Sequence, residues 1–187
     1  MFKKSNPACA KASADKQNGF TLLELLVVIG IIGLLASIIV VNLTSARRKA
    51  RDTKRVGDVR NLQTAMEDYY AKNGAYPANL GALVTGGQIP VWPLDPLAPS
   101  GTSCTANSDL CYWYASYTPT GALGPQSYHL GASLEDSSSP LLNQDRDCNS
   151  TTGSSCPYNA AYTNGFTGAD AAGCGGVASR YCYDVAQ

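Results

Sequence analysis

From Phe20 to Val41 the chain reads FTLLELLVVIGIIGLLASIIVV, roughly 22 apolar-dominated residues with one charge, Glu24. As an α-helix this run spans about 33 Å, enough for a hydrocarbon core of about 30 Å. A chain of 187 residues has little use for a buried helix that is apolar on every face. The run therefore predicts a membrane segment. It is too long for the apolar region of a secretory signal peptide, and no A-x-A-like cleavage site follows it. The segment is expected to stay on the protein.

Charge is segregated around this run. The total is zero, with 14 basic and 14 acidic side chains. By segment the balance is +3 over residues 1–19, −1 over 20–46, +4 over 47–72 and −6 over 73–187. A neutral total gives no footprint for nucleic acid, which is an unexpected partner for the isolated subunit. One histidine, His129, leaves no His-based metal cluster and little basis for a His-dependent triad.

Glu24 is costly in a membrane. An ionisable group there costs about 2.5–3.5 kcal/mol or more and by default has a partner and a function. No lysine or arginine lies within a helical turn. One reading is a snorkelling side chain near the interface. The other is pairing with an α-amino group created by a cut just before Phe20.

The string Gly19-Phe20-Thr21-Leu22-Leu23-Glu24, followed by the apolar run, resembles the N-terminal signature of type IV pilins and type II secretion pseudopilins. The resemblance is strong through Phe20–Val41 and weaker down to about Pro77. It implies that a membrane-embedded prepilin peptidase cuts between Gly19 and Phe20 and that the new Phe20 amine is methylated. It also implies that Glu24 pairs with the Phe20 amine of a neighbouring subunit. The leader of 19 residues departs from the shorter leaders of many such proteins. Physically, a staggered pairing of this kind sets register between subunits, the best-attested role of buried charge. Gly30, Gly33 and Ser37 are small residues that let membrane helices approach closely.

Beyond the membrane run, Val56, Val59, Leu62, Met66 and Tyr69 recur three or four apart, one face of an amphipathic helix. Asn73-Gly74 supplies a stop and Pro77 blocks continuation. Phe20 to Lys72 would be about 80 Å as a single helix. The expected organisation is a leader over 1–19, a long helix over 20–72 (transmembrane over 20–41, then amphipathic) and a head domain over 73–187. The basic collar Arg47–Arg60 reads as a lipid-headgroup anchor. By a naive count of Lys and Arg on the two flanks it would put the head in the cytoplasm.

The cysteines oppose that orientation. Cys9 leaves with the leader, and six remain: Cys104, Cys111, Cys148, Cys156, Cys174 and Cys182. They form three local couples. Six cysteines allow 15 pairings, but short spacing favours Cys104–Cys111, Cys148–Cys156 and Cys174–Cys182. A zinc site would want C-x2-C spacing and usually histidine. Disulfides place the head in an oxidising space, with the leader inside and the head outside as a single-pass precursor.

The head is expected to be α+β, with a small antiparallel sheet packed on the helix and disulfide-stapled loops. Strands are predicted at Tyr112–Thr118, Ser127–Glu135 and Arg180–Val185, with a turn over Gly121–Gln126. Alternation of Tyr128, Leu130, Ala132 and Leu134 predicts one buried face in the second strand. The family resemblance implies the same architecture, a pilin fold. Asn73-Gly74-Ala75-Tyr76-Pro77 with Leu80 and Leu83 looks like the post-helix segment of type II secretion major pseudopilins. Asp145, Asp147 and Asn149 alternate like the opening of a calcium loop, with Asp170 or Asp184 to complete the set. The glycine and the bidentate glutamate of such a loop are missing, and a solvated acidic loop is the plainer reading. No other cofactor is expected. Asn149-Ser150-Thr151 fits a glycosylation sequon, a tripeptide common by chance.

The function that emerges is a structural subunit, not an enzyme. It would polymerise through its N-terminal helix into an extracellular type IV pilus. The alternatives are a type II secretion pseudopilin and a membrane-anchored exported binding protein, including a calcium-dependent adhesin. The resemblance implies the prepilin peptidase, the pilus assembly platform and minor pilins as partners, with membrane lipid before assembly.

Overall fold

The structure is a computed structural model and describes residues 19–104 and 107–187, with the helical backbone alone for 38–42. The leader, with Cys9, lies outside these residues. The chain divides into two compact units between Asn42 and Leu43.

Helix α1 runs Leu22–Asn73. Its start is a capping box. Thr21 Oγ1 accepts the Glu24 N–H at 3.2 Å, and Glu24 Oε2 accepts the Thr21 N–H at 2.8 Å and the Thr21 hydroxyl at 2.9 Å. Its end is a left-handed glycine. Gly74, at φ 71°, donates its N–H to Tyr70 O at 2.8 Å, and Asn73 Nδ2 caps Tyr69 O at the same distance.

In the first unit every described side chain from Gly19 to Ser37 is exposed; Phe20 is 92% exposed and Leu35 54%. Among the described residues no helix is long and apolar enough to cross a membrane. Ser37 is the last side chain of the apolar run before the 38–42 stretch, so the reading of Phe20–Val41 extends past the described side chains.

In the second unit the periodic stripe turns inward. Val56, Val59, Leu62 and Met66 are buried, and Tyr69 packs against the same core. They meet Tyr128, Leu130, Ala132, Leu134 and Tyr183, with Leu80 and Leu83 from the short helix α2 (Gly81–Thr85) and its approach. Each fully buried aliphatic side chain contributes about 1.5–3 kcal/mol.

The sheet has three antiparallel strands in the order β1 (Trp113–Tyr117), β2 (Ser127–Leu134), β3 (Tyr181–Ala186). Tyr114 lies opposite Leu130, and Leu130 opposite Val185. All three strands fall within a residue or two of the predicted spans. The prediction of one buried face is corrected. All eight residues of β2 are buried. One face rests on α1. The other carries His129, Gly131 and Ser133 and is covered by a second core of Ala115, Cys148, Cys156, Tyr162, Phe166, Cys174 and Cys182. Segment 135–180 is poor in large aliphatics, but half-cystines and aromatic rings fill that layer instead. Gly131 sits where a side chain would strike the Phe166 ring at 2.7 Å, so the cover lies directly on the strand.

Candidate functional site

At the N-terminus, Gly19 and Phe20 precede the helix and are exposed. A Cβ at Gly30 or Gly33 would meet nothing within 4 Å among the described residues. Glu24 has no cation within a helical turn, and Thr21 supplies neutral hydrogen-bond donors instead. The capping box was visible as Thr-x-x-Glu at the head of an apolar run. Both hydrogen bonds from Thr21 fall on Oε2, and Oε1 has no partner among the described residues.

The basic collar is not a uniform lipid-facing surface. Arg55 is 0% exposed. Its guanidinium forks onto Asp95 (Nε to Oδ2 2.5 Å, Nη2 to Oδ1 2.9 Å) and reaches Asp52 and Glu135 through Nη1, both at 2.7 Å. Arg51 grips Glu135 with two bonds of 2.7 and 2.6 Å. Asp52 also accepts the backbone N–H groups of Glu135 and Asp136. Hydrogen bonds from Arg51 outweigh burial and hold the Glu135 carboxyl down to about 2. Two arginines from one face of α1 thus tie that helix to the Pro-rich loop through Asp95 and to the end of β2 through Glu135. Lys54 pairs with Asp58 on the helix surface at 2.8 Å.

The six head cysteines form Cys104–Cys111, Cys148–Cys156 and Cys174–Cys182, with Cα atoms 5.5, 4.8 and 4.6 Å apart. These are the couples that spacing favours.

Asp145, Asp147 and Asp170 place carboxylate oxygens within 4.8 Å of one another. Asp145 Oδ2 and Asp170 Oδ1 are buried and have no hydrogen-bond partner. Burial, then the charges of Asp170, Asp184 and Asp147, push the Asp145 carboxyl up to about 7. Burial and the charges of Asp147 and Asp184 raise Asp170 as well. Asn149 turns elsewhere: its Oδ1 accepts the N–H groups of Thr151 (3.1 Å) and Thr152 (3.4 Å). Asp184 is also engaged. It takes the Asp147 N–H at 2.9 Å, the Cys148 N–H at 3.0 Å and His129 Nε2 at 2.7 Å.

His129 was read as an isolated residue in a strand. It sits between Asp184 and Ser150, whose Oγ lies 2.7 Å from Nδ1, and it stacks on Phe166 with centroids 3.8 Å apart. Burial holds the imidazole below its ordinary value against the pull of Asp184. The neutral ring then donates from Nε2 to Asp184 and leaves Nδ1 as an acceptor beside the Ser150 hydroxyl, whose one proton also faces Phe166 O at 3.0 Å. These are the residue types of a hydrolytic triad, but all three are 0% exposed. Ser150 Oγ also takes the Phe166 N–H at 2.9 Å. The group ties the 145–168 loops to β2. Its members come from positions 129, 150 and 184, and no local motif signals it.

A long N-terminal helix on a small three-stranded antiparallel sheet with disulfide-closed loops defines a pilin-like fold. The family model for the prokaryotic N-terminal methylation motif matches residues 15–40. The chain is similar to type II secretion system core protein G of Escherichia coli (strain K12), 44% identical over 86 residues, which cover 46% of this chain and 58% of that protein. It is similar to the core protein G of Vibrio cholerae, 42% identical over 96 residues, or 43% of this chain and 66% of that one. It is also similar to the type IV wide pilus major component PilA4 of Thermus thermophilus, 41% identical over 69 residues, or 37% and 53%. The chain spans about half the length of the curated relatives it matches. No solved structure matches it. The motif and these relatives support the placement of this chain in the type IV pilin and type II secretion pseudopilin family.

Proposed function

We propose that the chain is a structural subunit that polymerises through its N-terminal helix into a type IV pilus. One observation carries the reading. The helix between Leu22 and Ser37 exposes apolar side chains all round, with Glu24 as its single charge. Such a surface is unfavourable in water and is covered first by lipid and then by the helices of neighbouring subunits. On this reading the precursor is a single-pass inner-membrane protein with its leader inside and its head outside. Prepilin peptidase cuts between Gly19 and Phe20, and the Phe20 amine is methylated. The capping box holds Glu24 Oε2 and leaves Oε1 for the Phe20 amine of a neighbour. Gly30 and Gly33 allow close approach of helices. An assembly platform and minor pilins complete the machine.

The second reading is a type II secretion pseudopilin, favoured by the core protein G relatives. Imaging of filaments sheared from cells, with immunodetection of this protein, separates the two. The pilus reading expects long surface filaments that contain the chain. It also expects Glu24→Ala to enter the membrane but yield few filaments. Wild-type yield from Glu24→Ala would remove the assembly role of the carboxylate. An absence of surface filaments would favour the pseudopilus.

We also propose calcium as a ligand of Asp145, Asp147 and Asp170. Buried carboxylate oxygens without partners are the chemistry a hard, oxygen-seeking cation satisfies, and the ion would offset the repulsion among the three acids.

A further inference from the structure

The His129–Ser150–Asp184 group fixes how one loop is presented. Ser150 is the middle residue of Asn149-Ser150-Thr151. It is anchored inward by its Oγ contacts to His129 and Phe166, by its N–H to Phe166 O at 2.9 Å, and by its carbonyl, which accepts the Tyr162 N–H at 2.8 Å. The two flanking residues face away from that anchor. Thr151 is exposed and its hydroxyl has no partner among the described residues. Asn149 is half-buried. Its oxygen is held by the amides of Thr151 and Thr152, while its Nδ2 has no hydrogen-bond partner among the described residues and is not fully buried.

We propose that Asn149 is a site of asparagine-linked glycosylation. Asn-x-Ser/Thr with x other than proline is the acceptor sequence for this modification. A match by chance carries no requirement that the asparagine nitrogen and the threonine hydroxyl both be unpartnered, while the residue between them is buried. Here neither has a partner among the described residues. The donor is a glycan linked to a polyprenyl diphosphate, offered by a transferase on the outer side of the membrane. In the step, Asn149 Nδ2 bonds to the anomeric carbon. The bond from that carbon to the diphosphate oxygen breaks, and its electron pair leaves with the diphosphate. One amide proton passes to a base of the transferase. Two N–H donors on Oδ1 stabilise negative charge there and make the Nδ2 protons more acidic. The loop lies on the sheet face opposite the α1 core, so a glycan there leaves the helix packing untouched. The three disulfides agree with the compartment this chemistry needs.

The inference rests on export of the head. Mass spectrometry of the full-length protein from cells that make it reads both points separately. A methylated Phe20 terminus reports processing, and the peptide around Cys148–Cys156 reports the modification. The expected result is a glycan-sized mass increment on Asn149. It is lost in Asn149→Gln and in Thr151→Ala, and retained in Thr151→Ser, which keeps the hydroxyl. Because Thr151 is exposed, its variants test the site without disturbing the core. An unmodified peptide from correctly processed wild-type protein overturns the proposal. So does an increment that survives Asn149→Gln, which would mark O-linked sugar.

Discussion

Arg55 carries its charge with no exposed surface, held by three carboxylates from positions 52, 95 and 135. A guanidinium suits this place because its fork satisfies two acids at once; an ammonium does not. Breaking a buried pair by removing one member costs about 3–5 kcal/mol, because the remaining charge is stranded. Arg55→Met, which keeps volume and removes charge, is expected to destabilise the protein by about that much in denaturant unfolding. Arg55→Lys should recover only part of the loss. A midpoint unchanged in Arg55→Met would mean that the acids find other partners. In the sequence this arginine reads as one of a run of basic residues near a membrane. Asp52 lies within about one turn of both Arg48 and Arg55, so it does not distinguish them, and the other two partners lie 40 and 80 residues away. The capping box at Thr21 is the opposite case: both members lie within one turn, and the pattern is legible before any folding.

At the scale of elements, the amphipathic half of α1 and strand β2 were legible because each carries its own period. The stripe Val56, Val59, Leu62, Met66 repeats at helical spacing, and Tyr128, Leu130, Ala132, Leu134 at strand spacing. The second layer over β2 was not legible, since it is built from half-cystines, Phe166 and Tyr162 scattered through a Ser/Gly-rich stretch without a period. Gly131 records that layer in one residue. A Cβ there would lie 2.7 Å from Phe166 Cε2 and 2.8 Å from Cys174 Sγ. Gly131→Ala is therefore expected to cost about 1–3 kcal/mol, the range for overpacking a filled interior. Thermal unfolding of the variant measures it. A gain in stability would mean that the disulfide layer yields easily. The same substitution on a one-faced sheet would have met only water.

For the molecule as a whole, the segregated charge of the sequence becomes a division of labour. The apolar run Phe20–Val41 carries one acid, the basic stretch 47–72 a net +4, and residues 73–187 a net −6. Part of that excess is concentrated at Asp145, Asp147 and Asp170. Asp145 has a raised value of about 7 against an ordinary 3.8, so its ionisation opposes folding. The stability it permits is present in full below about pH 4 and is lost as pH rises through about 7. Melting curves in a calcium chelator should show that decline, and millimolar calcium should flatten it by replacing the proton with a cation. Coincident curves with and without calcium would sink the calcium proposal. Asp145→Asn should remove the part of the decline centred near pH 7 and leave the smaller share that Asp170 carries.

The three disulfides join the first head cysteine to the second, the third to the fourth and the fifth to the sixth, each across seven or eight residues. A chain synthesised from its N-terminus presents its cysteines in that order. Each new thiol then meets its own partner as the nearest one, across a loop short enough to close quickly. The order of arrival and the order of pairing coincide, so joining each cysteine to its nearest predecessor gives the oxidised head without reshuffling.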